Sequence, residues 1–145
     1  MALPPPKQTL KFKKLHPKAK LPTRGTDSAA GYDLYLAEDL MYGENIVMAK
    51  FGVAVEIPAG YCGLLVERSS NHKRDLSQVN KIGIIDSDYR GELMAPIYCN
   101  QVDTEAGERI AQLVIVPILS LDPEWSDELS DSERGEKGFG STGMA

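Results

Sequence analysis

Cysteine is scarce in this chain, with Cys62 and Cys99 the only two. Two thiols cannot build a disulfide framework, and neither stands at a metal-ligand spacing, so both read as small buried residues of a protein from a reducing compartment. Histidine is equally scarce. His16 and His72 have no third histidine or suitable cysteine nearby, which argues against a zinc centre, and no Ser-His-Asp arrangement is visible. No apolar run approaches the ~20 residues of a membrane span. The first 20 residues hold prolines and lysines but no apolar segment, so no secretory leader is expected. Positive charge is also in deficit: 16 Lys and Arg against 21 Asp and Glu leave a net charge of −5 and a pI of about 5.0. That balance argues against binding nucleic acid through its phosphates. An anionic substrate would need a local basic site or a metal ion. The protein is expected to be soluble and intracellular: cytoplasmic, or nuclear or in the host cytoplasm if viral, and not secreted.

Long helical periodicity is missing as well. In its place the chain shows short apolar runs broken by turn residues. An edge strand is expected within 9–15 and a loop over 21–28. Further strands are expected at 32–36, 45–49, 53–57, 61–66, 82–85, 92–99 and 109–119, with at most a short turn of helix after Ser70. This spacing predicts an all-β sandwich or barrel. Hydrophobic residues make up 42% of the 145 residues, enough for one domain with a real core. About residues 1–8 read as a loose tail. About 124–145, rich first in Ser, Asp and Glu and then in Gly, read as a mobile C-terminal arm.

Four segments carry polar residues suited to chemistry. The stretch 134–143 holds four glycines, Arg134, Lys137, Ser141 and Thr142, a composition that fits a phosphate cradle. It is not a P-loop, because its lysine is misplaced and no helix can follow. Phe139 amid those glycines would suit stacking on a planar base. The run from Gly83 to Glu92 takes an apolar strand into a turn holding Asp86, Asp88, Tyr89 and Arg90. Such a turn can serve a hairpin whose Asp residues satisfy turn amides, or hold a general base at a strand end. Arg68, Ser69 and Ser70 follow an apolar strand and could contact phosphate or form an ordinary polar loop. Gln112 interrupts another apolar strand and needs a polar partner.

Taken together and in order, these segments resemble the trimeric dUTP pyrophosphatase (dUTPase) family. Ala30-Gly31-Tyr32-Asp33-Leu34-Tyr35 resembles its first motif, Arg68-Ser69-Ser70 its second, 83–92 its third, 107–112 its fourth and 134–143 its fifth. The resemblance spans 30–143. It implies a jelly-roll-like β subunit of the β-clip type, a homotrimer, and active sites drawing on all three chains, with one chain's arm closing over a site built by the other two. It implies hydrolysis of dUTP to dUMP and pyrophosphate, which keeps uracil out of DNA and supplies dUMP for dTMP synthesis. By the same resemblance Asp86 would activate the attacking water and Tyr89 would pack on the deoxyribose and exclude a 2′-hydroxyl. Asn80 and Gly83 belong to the hairpin that would read uracil. Arg68, Ser69, Ser70 and Gln112 would contact phosphates. Arg134, Gly140, Ser141 and Thr142 would clamp the terminal phosphates, and Phe139 would stack on the base. Asp33 would support the site, and Mg²⁺ would be held by triphosphate and water with no direct protein ligand.

The second motif departs from the usual Pro-Arg-Ser-Gly-Leu-Ala. Glu67 adds a carboxylate, and Ser70 replaces a glycine at a cost that depends on whether its φ is positive. Asn71 and His72 depart further, and in the fifth motif Lys137 stands where glycine is usual. A dCTP deaminase would share much of the β core, but the Gly-Phe-Gly-Ser-Thr-Gly ending counts against it. A regulatory role through a protein partner is the other alternative, for which Trp125 and the acidic stretch 124–133 offer a surface.

Overall fold

The structure is a computed structural model, and it describes residues 8–41, 46–99 and 104–140. Its strands are β1 (Lys11–Lys14), β2 (Gly31–Tyr35), β3 (Val47–Lys50), β4 (Val53–Glu56), β5 (Tyr61–Glu67), β6 (Leu76–Gln78), β7 (Gly83–Ile85), β8 (Met94–Cys99) and β9 (Arg109–Pro117). One 3₁₀ turn, Ser69–Arg74, follows β5 where a short helical turn is expected. All strand pairs are antiparallel, in three sheets ordered β1-β4, β2-β9-β5-β7 and β3-β8-β6. This is the all-β, jelly-roll-like fold expected from the sequence.

The inward positions of the sheets meet in one apolar core. Leu34, Leu36, Phe51, Leu65, Leu93, Ile97, Ile110 and Leu113 are buried at its centre. Alternation is clearest in β8, where Ala95, Ile97 and Cys99 point in while Met94 and Tyr98 point out. Both cysteines are buried, as expected.

Several boundaries differ from the sequence reading. The strand expected at 92–99 begins at Met94, because Glu92 turns aside to accept the Gly52 N–H at 3.0 Å and Leu93 bridges Phe51 and Val53. The strand expected at 109–119 ends at Pro117, and beyond it Ile118 donates to the Gly60 carbonyl. Strand β6 was not anticipated. Its three residues are too short for periodicity to show. It ends at Gln78 because the next residue, Val79, faces Pro96, which accepts its N–H at 2.9 Å but has none to return. Residue 45, which opens the strand expected at 45–49, lies outside the described residues, as does the tail 1–7.

Two glycines are required by the turns they occupy. Gly52 joins β3 to β4 at φ +68, and a Cβ there would lie 2.8 Å from that of Ala37 and 2.9 Å from that of His16. Gly60, at φ +90, closes the turn in which Tyr61 N–H donates to the Pro58 carbonyl.

Candidate active site

The register of the four-stranded sheet gathers one group of predicted residues. Asp33 on β2 faces Gln112 on β9, and Gln112 in turn faces Val66 on β5. A single cross-strand row thus reaches the end of β5, where Arg68 leaves the sheet. Arg68 Nε lies 3.1 Å from Asp33 Oδ1, and Arg109 Nη1 lies 3.3 Å from Asp33 Oδ2. Arg68 also donates to the Arg109 carbonyl at 3.1 Å. One carboxylate therefore holds two guanidinium groups side by side, with the Asp33 side chain only 14% exposed. Such a paired, pre-oriented cationic surface is suited to phosphate oxygens.

Gln112 donates to the Glu67 carbonyl at 3.0 Å. Its amide packs directly on Gly31, where any side chain would run into it. Ser69 and Ser70 open the 3₁₀ turn, which the buried Asn71 ties to β9 by donating to the Ile110 carbonyl at 2.6 Å. Ser70 is not among the residues with positive φ, so serine in place of glycine costs no backbone strain here. Glu67 is turned away from the phosphate side: its carboxylate accepts the backbone N–H of Gln78. Arg109 and Gln78 were not singled out in the sequence, and Asn71 was noted only as a departure from the second motif. Arg109 lies within the fourth motif, a signal that could have found it.

A second group lies on the hairpin 80–91. The turn at Lys81, φ +62, is closed by Ile82 N–H donating to the Asn80 carbonyl at 2.6 Å. After β7 the Asp86 carbonyl accepts Tyr89 N–H at 3.1 Å, which forms the next turn. Asp86 is exposed, and among the described residues its carboxylate has no partner. It borders a shallow pocket of about 160 Å³ with Ile84, Tyr89 and Met94. Tyr89 folds back so that its hydroxyl donates to the Glu92 carbonyl at 3.0 Å, over Gly91, where a Cβ would strike the ring. The ring is thereby held as a fixed wall beside Asp86.

The two groups are separated within one chain. Gly63 faces Ile85 across β5 and β7, so Asp86 lies level with Cys62. Arg68 is six residues further along, or roughly 20 Å at the rise of an extended strand. The arm joins neither group. From 117 to 140 every residue is exposed, and its hydrogen bonds beyond Ile118 are internal, among them Arg134 Nε to the Lys137 carbonyl at 2.6 Å. Trp125 and Phe139 are fully exposed. Ser141 and Thr142 lie outside the described residues.

A family model described as dUTPase matches residues 17–143. The chain belongs to the dUTPase family. Among curated proteins, the deoxyuridine 5′-triphosphate nucleotidohydrolase of Hydrogenobaculum sp. is 40% identical over 141 residues, covering 93% of this chain and 98% of that one. Among solved structures, the dUTPase of Staphylococcus bacteriophage 80alpha with dUPNHPP superposes with a TM-score of 0.87 at 35% identity, covering 95% of this chain and all of that one. It is described there under the statement that phage dUTPases control transfer of virulence genes by a proto-oncogenic G protein-like mechanism. A point-mutant dUTPase from phage phi11 of S. aureus is similar at a TM-score of 0.76 and 29% identity, covering 83% and 98% of the two chains. That structure is described as revealing the coordination of a structural Mg(II) ion. The matched span contains all of the first four motifs and the whole of the fifth.

Proposed function

We propose that this chain hydrolyses dUTP to dUMP and pyrophosphate, in sites shared between the copies of a homotrimer. The observation that carries the reaction is the dUTPase match over 17–143, which includes both residue groups of the site and the arm. The separation of Asp86 from Arg68 supports the sharing. Attack requires reacting atoms within about 3–3.5 Å of each other. The hairpin of one copy set against the arginine cluster of another would join the two.

In that arrangement Asp86 accepts a proton from water as its oxygen bonds to the α-phosphorus. The bond from that phosphorus to the bridging oxygen breaks, and pyrophosphate leaves. Tyr89, fixed by its own hydroxyl, packs on the deoxyribose and leaves no room for a 2′-hydroxyl. Asn80 and the backbone at Gly83 read the base. Arg68, Ser69, Ser70 and Gln112 hold the phosphates, while Asp33 keeps Arg68 and Arg109 in place. The arm of a further copy supplies Arg134, Gly140, Ser141 and Thr142 to the terminal phosphates and Phe139 to the face of uracil. On this reading the chain is one domain with a C-terminal arm from about 124.

The described residues hold no group of three or more His, Cys, Asp or Glu suited to a metal ion, and both oxygens of Asp33 face arginines. The donor set fits Mg²⁺ that arrives on the triphosphate with its own waters. When bound, that ion neutralises triphosphate charge and fixes its conformation. The reaction on a free nucleotide pool fits a cytoplasmic protein, or one in the nucleus or host cytoplasm for a viral source. A regulatory protein partner is a second reading, favoured by fully exposed Trp125 and nearly fully exposed Leu129 on the acidic arm.

The test is pyrophosphate release from dUTP, dCTP, dTTP and UTP with and without Mg²⁺, for wild type and Asp86→Asn, with ammonia release from dCTP measured alongside. Mg²⁺-dependent release from dUTP alone, lost in the variant, is the expected result. Ammonia from dCTP would favour the deaminase instead, and dUTP binding without release would favour a regulator.

A further inference from the structure

Gln78 is fully buried, yet its side chain is polar and only half satisfied. Its Nε2 donates to the Leu65 carbonyl at 2.9 Å and lies 3.4 Å from the Lys81 carbonyl. Backbone carbonyls only accept, so these two neighbours fix which end of the Gln78 amide faces them. The third neighbour of Nε2, at 2.8 Å, is nearer than the Lys81 carbonyl and takes the second amide hydrogen. It is Oδ1 of Asn80. Holding Oδ1 in this way leaves Asn80 Nδ2 on the other side, facing the main chain at Gly83.

Packing alone does not require glycine at 83. A Cβ there would meet Leu65 Cβ at 3.4 Å and Asn80 Nδ2 at 3.6 Å, both ordinary contacts, and its φ is not in the left-handed region. The fold itself would accept a side chain at 83. Glycine at this position leaves the Asn80 amide donor without a side chain packed against it. Meanwhile Gln78 Oε1 is buried and, among the described residues, has no partner, an arrangement that costs stability. An apolar residue of the same shape would avoid that loss but would leave Asn80 free to turn over.

We propose that Gln78 is a positioning residue that sets the polarity of Asn80, so that a donor is held beside Gly83 and uracil is selected over cytosine. This rests on the reading of 80–86 as the base-reading hairpin. A donor there pairs with a uracil carbonyl oxygen, whereas the amino group of cytosine would bring donor against donor. Glu67 belongs to the same device, because its carboxylate pins the Gln78 backbone to the end of β5.

The test compares wild type, Gln78→Met and Asn80→Asp as full chains. Gln78→Met keeps the volume and removes the donor. Asn80→Asp changes only an exposed side chain and offers oxygen at both ends, so it folds even if the first variant does not. The ratio of kcat/KM for dUTP to that for dCTP is expected to fall roughly tenfold or more in each, through KM rather than kcat. In an Asn80→Ala background, Gln78→Met is expected to change the ratio no further. A merely structural role would lower both substrates together and leave the ratio intact, and an unchanged ratio in either single variant overturns the proposal. The same proteins are titrated with dUDP and dCDP. A wild type that prefers dUDP without hydrolysing dUTP overturns the reaction but still reports the base preference. A wild type with no preference overturns the inference.

Discussion

Both carboxylate oxygens of Asp33 are held by guanidinium groups, whereas the Asp86 carboxylate stands in solvent without a partner among the described residues. The contrast extends to their surroundings. Around Asp33 three paired strands lock Arg68, Arg109 and Gln112 by side-chain bonds to neighbouring carbonyls and to Asp33 itself. Around Asp86 a three-residue strand on the edge of the sheet, with only Ile84 exposed, runs between two turns. The first region is built to hold cations in place against their own repulsion. The second leaves a carboxylate accessible to water. Structure and chemistry should therefore come apart on the hairpin and stay together in the cluster.

The sharpest break is expected at Asp86. Asp86→Asn should lower kcat for dUTP by about 10²–10⁴-fold with little change in KM. Its Tm should stay at the wild-type value, because the group removed stabilises nothing in the fold. Asp33→Asn should behave differently. Without the carboxylate, Arg68 and Arg109 repel each other, and KM should rise roughly tenfold while stability falls by about 1–3 kcal/mol. Thermal unfolding and dUTP kinetics on the same preparation would check the contrast. Gly31→Ala should displace the Gln112 amide and raise KM several-fold, leaving kcat nearly intact. Lys81→Gly should have the smallest effect. It relieves a left-handed non-glycine residue worth on the order of 1 kcal/mol, so Tm should rise slightly while a looser hairpin binds dUTP more weakly.

Much of this was legible in the chain itself. Alternating apolar residues in β5, β8 and β9 set their faces, and five ordered motifs marked both halves of the site. What stayed hidden depended on long-range pairing. Periodicity cannot reveal a three-residue strand such as β6, and Gln78 became visible only when that strand paired with β8. Glu67 looked like a misplaced charge beside the phosphates until its bond across to Gln78 was seen. Arg109 reads as an ordinary strand opener until β2 brings Asp33 alongside it. Nor did the motifs by themselves disclose that the strand register parts Asp86 from Arg68 within one chain.

That separation makes subunit mixing the most direct test. Asp86→Asn and Arg68→Ala proteins, each inactive alone, are unfolded together in equal amounts, refolded and assayed for pyrophosphate release from dUTP. If hairpin and arginine cluster come from different copies, random mixing should restore about one quarter of wild-type activity, the fraction of sites that receive both intact residues. If both come from the same chain, no mixed assembly can contain an intact site. Activity would then stay at the level of the separate variants, contradicting the shared-site account.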